Sequence, residues 1–333
     1  MAFRLRYGLR SIAPVSDKLG GAELLAYIVR RILITIPVVF LVSFLAFMLL
    51  SMVPGDPVEL MLTSAYGEAP TQERIDIVRK ELGFDRPLHV QYITWLGNAV
   101  QGDLGVSMKT GHPLIEDIAR TLPASLELAF SGMFLGLLIA FPTGIISATK
   151  KNRAVDYICR TGSLLGISMP SFWLAILLML LFSVRLQWLP VFGRGGIEHL
   201  ILPAITLGLA RAAMASRLIR SNMLEILGQD YIVTARAKGV RESAVVWKHA
   251  LKGAMAPVIT IIALQLGYTL GSSVIVETVF AWPGMGRLLV EAIFARDFVT
   301  VQGATLVFAL IIIVLNLLVD ISYVYFDPRV KYD

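Results

Sequence analysis

The sequence predicts an all-α integral membrane protein with six transmembrane helices, both termini in the cytosol, and a long extracytoplasmic segment after the first helix. The composition is the first reason, because 56% of the 333 residues are hydrophobic and only 16% are charged, unlike an ordinary soluble domain. Several apolar runs are also long enough to cross the roughly 30 Å of hydrocarbon in a bilayer. The uneven distribution of Lys and Arg between the connecting segments then decides the orientation.

Six apolar runs define the spans, and the charges between them define the topology. The runs cover residues 32–53, 124–148, 162–182 with a bend at Pro170, 200–216, 258–280 and 304–325. With both ends in the cytosol, the inner segments hold 19 Lys/Arg and 8 acids, whereas the outer segments hold 10 Lys/Arg and 13 acids. The inverted topology would contradict the positive-inside bias. Four charged residues remain within spans, namely Glu127, Arg211, Glu277 and Asp320.

The polar segments before and after the first span differ in character. Residues 1–26 are interpreted as a cytosolic N-terminal extension, because they lack the apolar core and cleavage site of a signal peptide. Residues 27–333 form the transmembrane domain. Within residues 55–121, two short helices are predicted, one from Thr71 to Gly83 and one from Pro87 to Gly102. Neither is long enough to span, so residues 55–121 predict a small extracytoplasmic cap.

Residues 217–257, which we call the cytosolic loop, are the longest polar break in the second half of the chain. They carry seven Lys/Arg against three acids, which favours the cytosolic side. Two short helices fit there, broken at Gly239, a residue that tolerates the left-handed conformation of helix ends. The second has an apolar stripe at helical spacing, formed by Val240, Ala244, Trp247 and Leu251. Such a loop suits docking of a soluble partner, although any multi-span protein needs some basic cytosolic loop.

Motifs for catalysis, nucleotide binding and metal binding are absent from the sequence. No Gly-Lys pair occurs, so there is no P-loop, and neither H-E-x-x-H nor G-x-S-x-G is present. The four histidines are scattered, and the single cysteine, Cys159, excludes an intrachain disulfide and a Cys-based metal cage. No basic patch with interleaved aromatic residues indicates nucleic-acid binding. We therefore predict no catalytic, cofactor-binding or metal-binding residue.

The order of residues in the cytosolic loop resembles a known family. Residues 231–239 read Tyr-Ile-Val-Thr-Ala-Arg-Ala-Lys-Gly, followed by His249, Leu251 and Pro257. This pattern is similar to the EAA loop of ABC-transporter permeases, most of all in the branch that imports dipeptides, oligopeptides, glutathione and nickel. Val233 departs from the pattern, because Glu is usual there. The resemblance implies contact with an ATPase subunit through Tyr231, Thr234, Ala235, Arg236, Ala237, Lys238, Gly239, Arg241, His249 and Leu251.

A second resemblance follows the fifth span. Residues 277–287 read Glu-Thr-Val-Phe-Ala-Trp-Pro-Gly-Met-Gly-Arg and are similar to the outer segment of the same family, which dips back beside the pore. Two interpretations of Glu277 stay open. It holds this segment closed, through hydrogen bonds or a pair with Arg287 or Arg296, or it only snorkels at the interface or pairs with one of these arginines. For Glu127 and Asp320, an interfacial salt bridge is preferred. The resemblance implies an outer gate or pore lining formed by Glu277, Phe280, Trp282, Pro283, Gly284 and Arg287.

Further motifs extend the resemblance from Tyr27 to Arg329, at residues 54–57, 82–87, 101–105 and 201–204. It implies one of two related permease subunits of an ATP-driven ABC importer in the bacterial or archaeal plasma (inner) membrane. The implied partners are a second permease, two ATPase subunits of one or two types, an extracytoplasmic solute-binding protein and membrane lipid, but no nucleic acid. The chain is then not an enzyme and binds no cofactor, because ATP and Mg reside on the ATPase subunits.

Alternatives stay open both for the identity of the solute and for the class of transporter. A di- or oligopeptide is favoured, whereas nickel, a metallophore or glutathione is the alternative, because residues 186–190 and 293–297 also suit nickel-type members. The alternative classes are a secondary transporter, a channel and a membrane anchor. A proton-coupled carrier is expected to carry carboxylates at mid-span, and a carrier built on repeats is expected to show matched broken helices. Neither pattern is evident in the sequence.

Overall fold

The computed structural model describes residues 21–51, 56, 58–59, 62–63, 69–81 and 83–326. Predictions for residues 1–20, 52–55, 57, 60–61, 64–68, 82 and 327–333 lie outside this part of the chain. The helices of the described residues are α1 (Gly21–Ser51), α2 (Gln72–Glu81), α3 (Leu88–Val100), α4 (Leu114–Thr149), α5 (Ala154–Ser168), α6 (Ser171–Leu178), α7 (Ile197–Leu227), α8 (Asp230–Ala237), α9 (Glu242–Ala244), α10 (Leu251–Val279), α11 (Met285–Ala295) and α12 (Phe298–Phe326). The same residues include two π-helical segments, Met179–Arg185 after α6 and Val245–Ala250 between α9 and α10.

Five of the described helices are long and apolar enough to cross a membrane: α1, α4, α7, α10 and α12. The pair formed by α5 and the α6 segment passes the same test together, with a bend of 106° between its halves. Counting that pair as one broken span gives six, so the predicted all-α membrane fold is confirmed.

The third span is broken at Pro170 rather than gently bent. Met169 has an extended backbone, with φ −80° and ψ 125°, which is the conformation that a following proline favours. Pro170 also has no N–H to continue the helical hydrogen bonds. The first half of this span begins at Ala154, before the predicted start at residue 162, because its first turns are too polar to register as an apolar run.

Other helices also extend beyond the apolar runs that predicted them. α4 begins at Leu114 instead of residue 124, and α7 continues to Leu227 instead of residue 216. The second of the two short helices expected in the cytosolic loop is likewise not separate. Its π-helical segment leads without a break into α10. The long helices therefore continue without interruption from the membrane region into the polar loop.

α4 and α7 pack together more extensively than any other pair of described helices, through small residues. A Cβ built on Gly208 would lie 2.6 Å from the Gly132 carbonyl oxygen, and one built on Gly136 would lie 2.9 Å from the Gly208 carbonyl oxygen. Further along, the Thr143 and Ser216 hydroxyl oxygens are 3.0 Å apart. The contacts advance together in both helices, so α4 and α7 run in the same direction. Close backbone approach through small residues is a common way for membrane helices to associate.

The two helices predicted in the cap are present as α2 and α3. α2 buries Ile75 in a small cluster with Val58 and Leu62. In α3, the Tyr92 hydroxyl lies 2.8 Å from the Ser43 hydroxyl of α1. The cap is therefore anchored to the first span.

Candidate functional site

The cytosolic loop forms a helical hairpin, which we define as residues 228–250, at the end of α7. The chain reverses after α8 at Gly239, which has φ +76°. The Gly239 N–H bonds to the Arg236 carbonyl at 2.9 Å, and the Val240 N–H bonds to the Ala235 carbonyl at 3.2 Å. Together these bonds form the helix-ending motif in which a left-handed residue follows the last turn. Glycine adopts that conformation without steric cost, so Gly239 fixes the reversal.

Apolar side chains on the inner side hold the hairpin against the long helices. Ile232 of α8 and Val245 and Ala250 of the π-helical segment are fully buried. They belong to one cluster with Ala148 of α4 and Met223 of α7. Full burial of an Ile or Val side chain is worth about 1.5–3 kcal/mol. We therefore expect the hairpin to move together with the ends of α4, α7 and α10.

The outer side of the hairpin exposes large apolar side chains beside charged ones. Tyr231, Val233 and Trp247 are 49%, 57% and 60% exposed, and exposed apolar surface of this kind often marks an interaction site. Arg236 donates to both carboxylate oxygens of Glu242, at 3.1 and 2.7 Å. This hydrogen-bonded guanidinium lowers the pKa of the Glu242 carboxyl below its ordinary value, and the pair joins the two arms of the hairpin.

The structure places the predicted ATPase-coupling residues along the hairpin and the first residue of α10. Ala235 and Leu251 are partly buried. The others are exposed: Tyr231, Thr234, Arg236, Ala237, Lys238, Gly239, Arg241 and His249.

The apolar stripe predicted for the second arm is wrong. It required Trp247 to face inward, but Trp247 is exposed, whereas Val245, Val246 and Ala250 are buried. The reason is the π-helical segment, which has more residues per turn than the α-helix that the stripe assumed.

A buried ion pair braces the end of α7 near the hairpin, and no sequence motif pointed to it. The Asp156 carboxylate of α5 is fully buried and accepts hydrogen bonds from Arg220 of α7, from Nε at 2.8 Å and from Nη2 at 2.9 Å. The Ser147 hydroxyl and the Asn152 N–H donate to the same carboxylate, at 2.6 and 2.9 Å. A carboxylate with four donors is fully satisfied, so the pair ties α4, α5 and α7 together.

At the other end of α10, the Glu277 carboxylate is enclosed by protein and is 0% exposed. Its Oε1 accepts a hydrogen bond from Ser125 of α4 and lies the same distance, 2.8 Å, from the Ser273 hydroxyl. Its Oε2 accepts the backbone N–H of Arg287 at 3.1 Å. The snorkelling interpretation is therefore wrong for Glu277.

Of the two ways considered for Glu277 to hold the segment, the described residues show hydrogen bonds and not an ion pair with a guanidinium group. The Arg287 guanidinium instead donates to Glu291 at 2.7 Å and to the Ala281 carbonyl at 2.6 Å. Arg296 is exposed at the end of α11, in a left-handed conformation. For Asp320 and Glu127, the preferred salt bridges are present, with Arg31 and Arg194.

The remaining residues of the predicted gate divide between core and surface. Phe280 and Trp282 are buried, and the Trp282 indole N–H donates to the Ala124 carbonyl at 2.8 Å. Pro283, Gly284 and Arg287 line a cavity of about 450 Å³. Glu277 thus lies beneath this cavity, hydrogen-bonded to its lining through the Arg287 N–H.

The cavity wall opposite these residues comes from the loop of residues 105–113. Ser107 donates a hydrogen bond of 2.7 Å to the buried carboxylate of Asp297, just before α12. Lys109 donates to Glu291 at 2.7 Å. This hydrogen bond, supported by Arg287, lowers the pKa of the Glu291 carboxyl below its ordinary value. The loop is therefore attached to α11 and α12 by two carboxylates.

Within the part of the chain that the structure describes, no group of three or more His, Cys, Asp or Glu side chains could hold a metal ion. The site residues that sequence reasoning missed are mainly supporting groups: Ser125, Ser147, Asp156, Arg220 and the inward apolar residues of the hairpin. An acid in the first turn of a basic segment was the only available signal for Asp156, and Ser125 carried none.

Comparisons with known proteins match nearly the whole chain. The family model described as "Binding-protein-dependent transport system inner membrane component" matches residues 140–332, and "Binding-prot-dependent transport system membrane comp, N-term" matches residues 24–129. The protein named glutathione transport system permease protein GsiC is 44% identical in Escherichia coli strain CFT073 and 43% identical in strain K12 and in Shigella flexneri. Each alignment covers 93% of this chain and 100% of the relative.

Solved structures give the same picture of the fold. Two crystal forms of the inward-facing MetNI methionine ABC transporter align with TM-scores of 0.52 and 0.53, at 18% and 20% sequence identity. The alignments cover 63% of this chain and 96% of the solved chain. At this identity, the likeness concerns the fold alone.

Proposed function

The chain belongs to the family of binding-protein-dependent transport system inner membrane components, and we propose that this ABC importer permease carries glutathione or a di- or oligopeptide. Permeases named for glutathione align over their full length with this chain, which supports a peptide-like solute. The chain lies in the inner membrane as a multi-pass protein, with both termini on the cytosolic side in our proposal.

The complex that we propose contains a second permease, two ATPase subunits and an extracytoplasmic solute-binding protein. ATP and Mg bind to the ATPase subunits, and this chain hydrolyses no ATP. The two permeases enclose the solute path and alternate between states open to either side. The cap is placed to meet the binding protein.

The observation that carries the mechanism is the two-sided construction of the hairpin. Its inner face is buried against α4, α7 and α10, as Ile232 and Val245 illustrate. Its outer face exposes Tyr231 and Trp247 beside Arg236 and Arg241. A surface of this kind can dock an ATPase subunit and pass its displacement to the long helices as a rigid-body movement.

The outer end of α10 is proposed as the gate. Glu277 holds the segment that begins at Trp282 through hydrogen bonds to Ser125 and to the Arg287 N–H. Opening towards the binding protein then requires this segment to move with α10 or to give up those bonds. The exposed Pro283 and the partly buried Arg287 border the entrance.

Site-directed cross-linking tests the docking role of the hairpin. In a background where Cys159, the single cysteine, is replaced by Ser, a cysteine at Ala235 or Arg241 should cross-link to the ATPase subunit. A cysteine at Ile93 in the cap, which is 66% exposed, serves as the control and should not. Absence of cross-links from both hairpin positions in every nucleotide state would refute the docking assignment.

Uptake into proteoliposomes tests the solute class. The reconstituted complex with its binding protein should accumulate glutathione or a dipeptide when ATP is present. Accumulation of Ni²⁺ without any peptide-like solute would overturn the proposal in favour of a metal importer.

A further inference from the structure

Arg211 lies near the middle of a membrane-spanning helix, where charge is costly. It is roughly equally far from the two ends of α7, Ile197 and Leu227, and α7 is apolar enough to cross a membrane. Charged side chains at this depth face a bundle interior or a water-filled cavity, and they often mark substrate pathways. No role for Arg211 follows from the sequence alone.

Neighbouring helices fix the direction of the Arg211 side chain. On one side, α4 is so close that a Cβ built on Gly136 would lie 3.3 Å from the Arg211 Cβ. On the other side, Arg211 Nη2 donates to the Ser272 hydroxyl at 2.8 Å and to the Tyr268 carbonyl at 3.3 Å, both in α10. The guanidinium group therefore crosses from α7 to α10.

The positive charge of Arg211 has no opposite charge among the residues that the structure describes. Its two recorded acceptors are neutral oxygens, and its Nε is buried without a hydrogen-bond partner. A guanidinium group offers five N–H donors in a planar fork that matches a carboxylate. Because an uncompensated charge away from water is strongly unfavourable, the arrangement requires an anion or water beside Arg211.

An open face of α10 lies next to Arg211. Leu264, Tyr268 and Ile275 recur at helical spacing on this face and are 46%, 75% and 48% exposed. Met214, one turn from Arg211 on α7, is also exposed. Lipid chains would not solvate the adjoining guanidinium group, so this face borders protein or water inside the assembled importer.

We propose that Arg211 receives a carboxylate of the transported solute halfway across the membrane. The inference rests on the proposed function and narrows its solute class to molecules with a carboxylate, such as a peptide with a free C-terminus. Charge-assisted hydrogen bonds from a guanidinium group favour that ligand. Ser272 and the Tyr268 carbonyl occupy Nη2 and Nε is buried, so the two N–H groups of Nη1 remain for the solute. The contact therefore suits a transient stop, since a transport site must release what it binds.

Paired solutes test the proposal in the reconstituted complex with its binding protein. Uptake of a peptide with a free C-terminal carboxylate is compared with uptake of the same peptide as its carboxamide. Arg211→Gln should lower carboxylate uptake at least tenfold and carboxamide uptake less than twofold, each relative to the parent complex. Arg211→Lys, which keeps the charge, should fall between. Arg217→Gln, an exposed position on the same helix, should leave both rates within twofold of the parent.

A second readout separates binding from structure if the parent complex accepts only the carboxylate form. Arg211→Gln should then keep binding-protein-stimulated ATPase activity while moving at least tenfold less solute per ATP. Equal losses for both solutes, or parallel losses of ATPase activity and complex assembly, would overturn the proposal and indicate a pair with an acid of the second permease. Unchanged uptake would place Arg211 outside the path. If the parent itself transports no peptide-like solute, the proposed function fails independently of Arg211.

Discussion

The Ser125 hydroxyl donates a hydrogen bond of 2.8 Å to the Glu277 carboxylate, across 152 positions of sequence. The same hydroxyl accepts the Met285 N–H at 2.8 Å, so α4, α10 and the start of α11 meet at one serine. Both side chains are buried, and each would be costly to bury alone. A carboxylate and a hydroxyl together therefore fasten the outer segment to the bundle.

Glu277→Gln should loosen this attachment while preserving side-chain size. The substitution replaces an acceptor oxygen by a donor NH₂ group, which must then face the Ser125 hydroxyl or the Arg287 N–H. A buried polar group left without its partner costs about 1–3 kcal/mol. We expect ATPase activity in the reconstituted complex to depend less on the binding protein, measured as the ratio of stimulated to basal rate. Glu127→Gln, which breaks the more exposed pair with Arg194, is the control. If Glu277→Gln kept the stimulated-to-basal ratio of the parent complex, Glu277 would not be part of the gate.

Asp156→Asn should destabilise the chain strongly. The substitution leaves Arg220, which is 20% exposed, without its opposite charge, and breaking a buried pair from one side typically costs about 3–5 kcal/mol. Thermal unfolding of the purified complex should show a clearly lower midpoint. Asp320→Asn, which breaks the more exposed pair with Arg31, should cost about 0–1 kcal/mol. Equal effects of the two substitutions would contradict the bracing role of Asp156.

Gly239→Ala should uncouple ATP hydrolysis from uptake with normal membrane insertion. A methyl group at φ +76° costs about 1–2 kcal/mol in the left-handed region, so the turn between α8 and α9 should change shape. The matched control is Gly228→Ala, because Gly228 has φ −86°, which alanine adopts readily. The measurement is solute moved per ATP hydrolysed. If Gly239→Ala left this ratio unchanged while Gly228→Ala lowered it, the assignment of the coupling geometry to Gly239 would be wrong.

The Lys109–Glu291 pair should make the attachment of residues 105–113 sensitive to acid. Hydrogen bonding from Lys109, together with Arg287, lowers the pKa of the Glu291 carboxyl. A lowered folded-state pKa adds stability above the ordinary pKa of the unfolded chain, and that stability is lost as pH falls through the folded value. For a pair this exposed, the gain is about 0–1 kcal/mol.

At neutral pH, Glu291→Gln should therefore have a slightly lower unfolding midpoint than the parent. The difference should vanish at a pH below the lowered pKa, where the parental carboxyl is itself protonated. Glu81→Gln, at an exposed position in the cap, controls for loss of a surface charge. A difference between Glu291→Gln and the parent that persists unchanged into acid would mean that Glu291 acts through shape rather than charge.

Apolar runs predicted the number and order of the spans, because a span must be long and apolar enough to cross the bilayer. The charge bias predicted their orientation, which stays a prediction. The ends of the helices were harder to predict. The first turns of α4 contain Glu116 and Asp117, so hydropathy stops short of them even though the helix does not. Proline chemistry located the break at Pro170, but only the tertiary structure sets its angle.

The candidate sites were predicted where residue type determines conformation, as at Gly239. They were mispredicted where packing decides. The π-helical register that exposes Trp247 leaves no mark in the apolar pattern, and the Ser125 hydroxyl that meets Glu277 lies too far away in sequence to be paired with it. Arg211 was visible as a charge within a span, but its neutral partners in α10 depend on how the helices pack.

The contact between α4 and α7 also limits how this chain can vary. At Gly136 and Gly208, the opposing atoms are largely backbone, and a methyl group on Gly208 would lie 2.6 Å from a carbonyl oxygen. A larger side chain on one helix is often accommodated by a smaller one opposite, but a peptide group has no smaller form. In this part of the interface, a larger side chain on one helix therefore cannot be compensated by a smaller one on the other. Sequence change there must keep these two glycines or move the helices apart, with no intermediate of moderate cost.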